Sequence, residues 1–237
     1  MSLGLPHLHL RSTGSTNDRL RDLAQAGAPH GTLVTTGEQT AGRGRQGRTW
    51  SAPASQALLM SVLLRDPPGL LPLRAAVAVA AALGPQASIK WPNDVLWPSR
   101  ADEPPGKVAG ILVEGRPRES WAIVGIGVNV ALDPAALPSD ARRGASSLGL
   151  QPAAVDDLRE RVLRELERSL ALSDSGTLEA WRRRDALIGR EISWSGGTGT
   201  AAGVDYRGCL IVVRPDGART ILDAAEVHLG GPTRPTA

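Results

Sequence analysis

The sequence predicts an α+β fold in two parts: a larger unit whose sheet is mostly antiparallel, then a small all-β unit. Three observations carry this. Helical periods alternate with short β-branched runs as far as Leu187. Beyond Leu187 the chain holds only short strand patterns and tight turns, about fifty residues that read as a small β-barrel. Hydrophobic residues make up 41% and charged residues 22% of 237, a globular balance that suffices for one sizeable core and a second small domain. With no Phe in the chain, that core is left to Leu, Val and Ala.

The elements follow in order. In "STNDRLRDLAQAG", Ser15 is placed to N-cap a helix, Asp18 sits three residues on, Leu20 and Leu23 share a face, and Gly27 ends it. Thr32 to Gly37 is a short β-branched strand. Ala57 to Arg65 reads as a buried strand, and Leu73 to Gly84 as a buried helix closed by its glycine. Ser88 to Trp97 forms two extended pieces around a Pro-Asn-Asp turn, followed by an acidic, proline-containing loop from Ser99 to Gly106. Lys107 to Gly115 and Ser120 to Val130 are strands joined through Arg116, Pro117 and Arg118. Ala153 to Leu172 is an amphipathic helix, with Val155, Leu158, Val162, Leu166 and Leu170 at helical spacing. A shorter helix spans Thr177 to Leu187, and its Arg182–Arg184 run reads as a solvated face. Asp216-Gly217 marks a hairpin in the last unit.

Composition narrows the function. A net charge of +3 is small for a nucleic-acid binder of this length. The single Cys209 excludes an internal disulfide, and four scattered histidines form no metal-ligand cluster. Apolar runs are too short to span a bilayer, and the start lacks a secretory pattern. These features read as a soluble, cytoplasmic chain. Of 27 basic residues only Lys90 and Lys107 are lysine. Where arginine has replaced lysine almost throughout, the two survivors point to positions that need a compact ammonium.

The stretch "EQTAGRGRQGRTW" contains Gly42, Gly44 and Gly47 at dinucleotide-fingerprint spacing. That fingerprint needs a helix immediately after the glycines, and here Pro53 and a strand follow. No Gly-Lys-Ser/Thr occurs anywhere, and the Gly/Arg stretch is too short for an RNA-binding tract. What remains is a glycine-rich loop presenting Arg43, Arg45 and Arg48 to an anion, since guanidinium forks suit phosphate oxygens.

Five motifs stand in order: "GSTN", "EQTAGRGRQGRTW", "KWPNDVLW", "GKVAGILVEG" and "VGIGVNV". Together they resemble the biotin protein ligases, from about Ser15 through Asn129 and more loosely beyond. The resemblance implies a class II synthetase-like catalytic domain with a mixed sheet over residues 1–187, then an SH3-like β-barrel over 188–237. It implies ATP-dependent conversion of biotin to biotinyl-5′-AMP, then transfer to a lysine of a biotin carboxyl carrier domain, with Mg²⁺ as cofactor.

The same resemblance assigns residues. Lys107 grips the biotin carboxylate and Lys90 lies near the reacting centre, with Arg45 and Asp94 completing the catalytic set. Ser15, Thr16, Asn17, Gln39, Gly42, Arg43, Gly44, Arg45, Lys107 and Gly110 bind biotin. Arg43, Arg45, Arg48, Trp50, Lys90, Asn93 and Asn129 bind the adenylate, and Asp94 helps hold Mg²⁺. Other readings stay open residue by residue: Ser15 as a plain N-cap, Trp50 as a core tryptophan, Asn93-Asp94 as turn chemistry, and Asn129 as a strand-end residue. The sequence departs from the family at Gly14, where an acidic residue is common, in the long Ser99–Gly106 loop, and in "ILDAAEVHL", which lacks a glycine. With the motifs starting by residue 15, no helix-turn-helix and no repressor activity are expected. A lipoate ligase is the neighbouring reading; monomer and homodimer are both compatible.

Overall fold

The computed structural model describes residues 3–98, 104–115, 120–137, 142, 144–223 and 227–229. The expected Arg116–Arg118 turn, most of the Ser99–Gly106 loop and the middle of "ILDAAEVHL" lie outside them.

A seven-stranded mixed sheet forms the larger part. Its strands are β1 (His7–Leu10), β2 (Leu33–Thr36), β3 (Ala57–Arg65), β4 (Ser88–Lys90), β5 (Asp94–Trp97), β6 (Gly106–Gly115) and β7 (Trp121–Asn129). They lie in the order β1-β2-β3-β7-β6-β5-β4. Only β1 and β2 pair in parallel, which the intervening helix α1 (Thr16–Gln25) permits as a crossover; the other pairs are antiparallel. β1 was not expected: its four residues alternate His and Leu as a half-buried strand does, but over too short a run to stand out. Its register on β2, His7 opposite Leu33, defines it.

Alternation gives the central strands two different faces. On one face Leu58, Met60, Val62 and Leu64 of β3 meet Ile126 and Val128 of β7, under helices α2 (Leu71–Leu83) and α3 (Ala154–Leu170). Helix α2 is apolar nearly all round and correspondingly buried on almost every side. On the other face α1 packs Leu20 and Ala24 against Val34, Leu63, Trp121 and Ile123. That second core is small and stops short of the middle of β6 and β7.

The start of α1 differs from expectation. Ser15 occupies the N-cap position, but its side chain makes no capping bond. The Thr16 amide there, which has no partner within the helix, is met instead by Gln39 Oε1 at 2.8 Å. The second short helix, α4, also shifts, running Asp174–Arg182. Ser173 caps it by accepting from the Gly176 amide. It stops early because Ile89 recruits the chain, donating to the Arg184 carbonyl and accepting from the Ala186 amide. Arg184 accordingly departs from the solvated run, with Nη1 donating to the carbonyls of Gly84 and Ala87; Arg182 and Arg183 remain exposed.

The last part is a five-stranded antiparallel sheet, β8 (Glu191–Trp194), β9 (Gly197–Val204), β10 (Leu210–Val213), β11 (Arg219–Leu222) and β12 (His228–Leu229), in the order β11-β10-β9-β8-β12. Among the described residues it is open, with β11 and β12 as edges. The Asp216-Gly217 hairpin forms as expected, with Gly217 at φ +83°. Its apolar face, including Ile192, Val204, Leu210 and Val212, is continuous with the main core. Among the described residues no helix is long and apolar enough to cross a membrane.

Arg74 fastens the helical layer. Its side chain is 2% exposed, and it donates to the carbonyls of Gly69, Ser169 and Leu172 and to Asp174 Oδ1 at 2.7 Å. Asp174 is 65% exposed, so the carbonyl bonds carry most of the anchoring. Arg74→Ala should cost about 3 kcal/mol or more by leaving buried carbonyls unmet, whereas Asp174→Asn should cost less than about 1 kcal/mol. Urea unfolding of the two variants checks the ranking.

Candidate active site

The site occupies the α1 face of the sheet, where that face lacks side chains. Gly110 of β6 stands opposite Gly127 of β7, and Leu112 opposite Gly125. A Cβ on Gly127 would lie 2.5 Å from the Trp50 ring, one on Gly110 would lie 2.9 Å from it, and one on Gly125 would collide with Asn17 Oδ1. The glycines therefore leave a trench between α1 and the loop that carries Trp50. The opening measures about 140 Å³. That is below the roughly 300–1,000 Å³ of most small-molecule sites, because the indole fills part of the trench.

One end of the trench is neutral and polar. Gln39 Oε1 accepts from the Thr16 amide at 2.8 Å and from Thr16 Oγ1 at 3.1 Å. Ser61 Oγ lies 2.7 Å from Thr16 Oγ1 and 2.6 Å from Asn17 Oδ1. Asn17 Nδ2 donates to Glu114 Oε2 at 2.6 Å and to the Leu112 carbonyl. Ser15 joins them in the wall. Buried hydroxyls and amides this connected hold fixed directions.

The other end is charged. Lys107 Nζ sits 2.7 Å from Asp94 Oδ1 and 5.6 Å from the Trp50 ring centroid, within cation–π range. A bulge aims it there: Ala109 opposes Val95 while Lys107 opposes Leu96, so Val108 is an extra residue in β6. In an unbroken strand Lys107 would alternate with Gly110 to the opposite face. Asp94 opposes Gly110 in the register and so shares the trench face. Burial pushes the Arg45 guanidinium below its ordinary range, opposed by the nearby Asp94 charge. Lys90 and Arg48 also line this end.

The Gly/Arg stretch is a tight hairpin rather than an extended loop. The Trp50 amide donates to the Gly42 carbonyl, Arg43 bridges Thr49, and the Gly44 amide donates to the Arg48 carbonyl at 2.7 Å. The turn runs through Gln46 and Gly47 at φ +55° and +75°. A strand follows, not a helix, so the dinucleotide fingerprint is excluded here.

Of the residues expected from the sequence, Ser15, Thr16, Asn17, Gln39, Arg43, Gly44, Arg45, Arg48, Trp50, Lys90, Asn93, Asp94, Lys107 and Gly110 all line one cavity. Gly42 stands outside the wall, packed under the Trp50 carbonyl, where its missing side chain lets the hairpin ends meet. Asn129 is not in the wall either; it is 4% exposed and donates to the Ser146 carbonyl, with its Oδ1 buried and unpartnered. Arg43 reaches the wall, but its guanidinium is taken up by Asp18 and Glu114. Asn93 shapes its turn, exchanging two bonds with Ile111 through its carbonyl and its Nδ2. Its neighbour Trp91 is 2% exposed and donates to the Gly208 carbonyl at 3.0 Å, tying the turn to the last sheet.

Sequence reasoning missed Ser61, Glu114, Gly125 and Gly127. Ser61 did carry a signal, as the one polar residue within the buried run "ALLMSVLL". Two glycines inside "VGIGVNV" signalled a close approach. Glu114 gave none, since an acidic residue at a strand end is ordinary. Among the described residues no group of three His, Cys, Asp or Glu side chains stands ready for a metal.

A glycine-floored trench, hydrogen-bonding at one end and cationic at the other under an arginine hairpin, is a site suited to an elongated ligand with an anionic end. The Biotin/lipoate A/B protein ligase family model matches residues 10–131, and the chain belongs to that family. A biotin–[acetyl-CoA-carboxylase] ligase of Paracoccus denitrificans is 35% identical over 94% of this chain and all of that one. One from Mycobacterium tuberculosis is 36% identical over 92% of this chain and 86% of its own length. The structure of an Aquifex aeolicus biotin protein ligase in complex with biotin and ATP superposes with a TM-score of 0.76 at 25% identity, covering 95% of this chain and 99% of that one.

Contact between Trp50 and the glycine floor is open to a direct test. Gly127→Ala should displace the indole and raise iodide quenching of tryptophan emission. In a Trp50→Phe background the same substitution should leave quenching unchanged.

Proposed function

We propose that this chain is an ATP-dependent biotin ligase, converting biotin to biotinyl-5′-AMP and transferring it to a lysine of a biotin carboxyl carrier domain. The observation that supports this most is the polarity of one trench: Thr16, Asn17 and Gln39 at the neutral end, backed by the buried Ser61, and Lys107, Asp94 and Arg45 at the other. Biotin's ureido ring needs paired donors and acceptors, which Ser15, Thr16, Asn17 and Gln39 offer. Its apolar tail would lie along the trench beside the Trp50 ring, which rests on Gly110 and Gly127. Its carboxylate then comes to Lys107.

Two anions must meet for the first step, so their charge is the main barrier. A biotin carboxylate oxygen attacks the α-phosphorus of ATP, the bond to the β-phosphate oxygen breaks, and pyrophosphate leaves. Lys107 holds the attacking carboxylate, while Lys90, Arg45 and Arg48 neutralise the phosphates. Arg43 contributes through the shape of the hairpin, given that its charge is committed to carboxylates. In the second step the acceptor amine attacks the acyl carbon, loses its proton, and AMP leaves. Mg²⁺ fits this wall, in which Asp94 is the one carboxylate among the described lining residues. Magnesium in nucleotide sites commonly takes one or two protein carboxylates, its remaining ligands being phosphate oxygens and water. Held by Asp94, it would supply further charge neutralisation on the polyphosphate.

Residues 1–187 would form the catalytic domain and 188–237 an SH3-like barrel. The change from helices to short antiparallel strands near Leu187 supports that division. A lipoate ligase remains the competing reading, but lipoate has no ureido group for the Thr16–Gln39–Ser61 network.

Incubation with ATP, a carrier domain and either biotin or lipoate distinguishes the two. Labelling of the carrier with biotin alone is expected, and no biotinyl-AMP and no labelled carrier would sink the reading. Lys107→Ala and Arg45→Ala should each slow adenylate formation about 10²–10³-fold; wild-type rates in both would remove the site assignment.

A further inference from the structure

We propose that Glu114 is a positioning residue that fastens the Gly42–Trp50 hairpin over the trench and so governs how long a ligand stays there. The claim about retention rests on reading the trench as biotin's; the claim about the hairpin does not.

Glu114, near the end of β6, accepts from three donors on two other segments. Asn17 Nδ2 lies 2.6 Å from Oε2, Arg43 Nη2 2.9 Å from the same oxygen, and Arg21 Nη2 3.0 Å from Oε1. Asp18 completes the arrangement, 2.6 Å from Arg43 Nη2 and paired with Arg21. Two carboxylates and two guanidiniums thus alternate around a closed set. Arg21 and Asp18 belong to α1 and Arg43 to the hairpin. A lone exposed ion pair holds little, but shared partners lower the ordering cost of each further contact. Glu114 is also the least exposed of the four side chains, at 24%.

The same carboxylate therefore faces both ways. Toward the trench it sets Asn17, whose Oδ1 meets Ser61 and through it Thr16 and Gln39. Toward solvent it holds the hairpin whose residues Arg45, Arg48 and Trp50 form the lid of the cavity. Loss of the Glu114 charge should free the hairpin while leaving the sheet intact. Glu114→Gln is suited to this: the oxygen shared by Asn17 and Arg43 is kept but loses its charge, and the NH₂ takes the place of the oxygen that accepts from Arg21.

The hairpin supplies its own reporter, because trypsin cuts after Arg45 and Arg48 when the segment opens. Cleavage at these two bonds would be followed by mass spectrometry in ligand-free wild type, E114Q, R43Q and the double variant. Release of biotin would be followed separately. We expect E114Q to be cut about fivefold faster than wild type at low salt, with its unfolding midpoint unmoved. The double variant should be cut no faster than the faster single one. Raising NaCl from about 0.05 to 0.5 M should bring wild type toward the variants. Biotin should leave E114Q about fivefold faster too. Equal cleavage of wild type and E114Q overturns the proposal. Faster cleavage with unchanged biotin release overturns the link to retention. Faster cleavage in a chain whose wild type binds no biotin keeps the positioning role and sinks the functional reading. Should E114Q not fold, R43Q breaks the same contact from the hairpin side and is read the same way.

Discussion

Absence of side chains at Gly110, Gly125 and Gly127 is the constraint on which the rest of the site depends. Sheet faces in a globular core are ordinarily filled, and β6 and β7 fill their other face with Ile111, Ile126 and Val128. On the α1 face those neighbouring glycines let Asn17 and Trp50 approach the backbone itself. Glycine in a strand interior costs about 0.5–1 kcal/mol each relative to alanine. The continuous apolar core on the opposite face tolerates that cost, since nearly all of β3 and β7 is buried there or along the strand.

Once the trench exists, the charged residues need only small devices to reach it. The bulge at Val108 turns Lys107 to the trench face, and register alone brings Asp94 beside it. The turn carrying Lys90 and Asp94 is held from two sides, by Asn93 on Ile111 and by Trp91 on Gly208. The last sheet therefore contributes to the site without lining most of it. Two of the site's cations are held by defined anions in this partly buried setting, Lys107 by Asp94 and Arg43 by Asp18 and Glu114. Binding of an anionic ligand must compete with those pairs, which places the electrostatic cost of entry on the same residues that would stabilise the bound state.

Much of this was legible in the sequence. Periodicity located β3 to the residue, and Gly84 marked the end of α2 where its φ is +118°. Local chemistry was weaker where a distant partner intervened. The start of α1 was expected to be capped by Ser15, but Gln39, twenty-three residues away, meets its first amide. Arg184 read as solvated because nothing near it in sequence shows that Gly84 and Ala87 leave carbonyls open. Asn129 and Gly42 sat in motifs with the right order, yet lie just outside the wall.

By itself the sequence determined the strand and helix patterns, the exclusion of a dinucleotide turn, and the two lysines and three arginines that meet at one site. Those follow from local periodicity and residue chemistry, which need no long-range information. Tertiary structure alone decided which face each residue serves. A single bulged residue reverses strand parity for Lys107, and pairing partners seventy to a hundred residues away, Asn17 and Arg43 with Glu114, set the direction of side chains. Neither leaves a trace in spacing, because both arise from contacts between segments that only the folded sheet brings together.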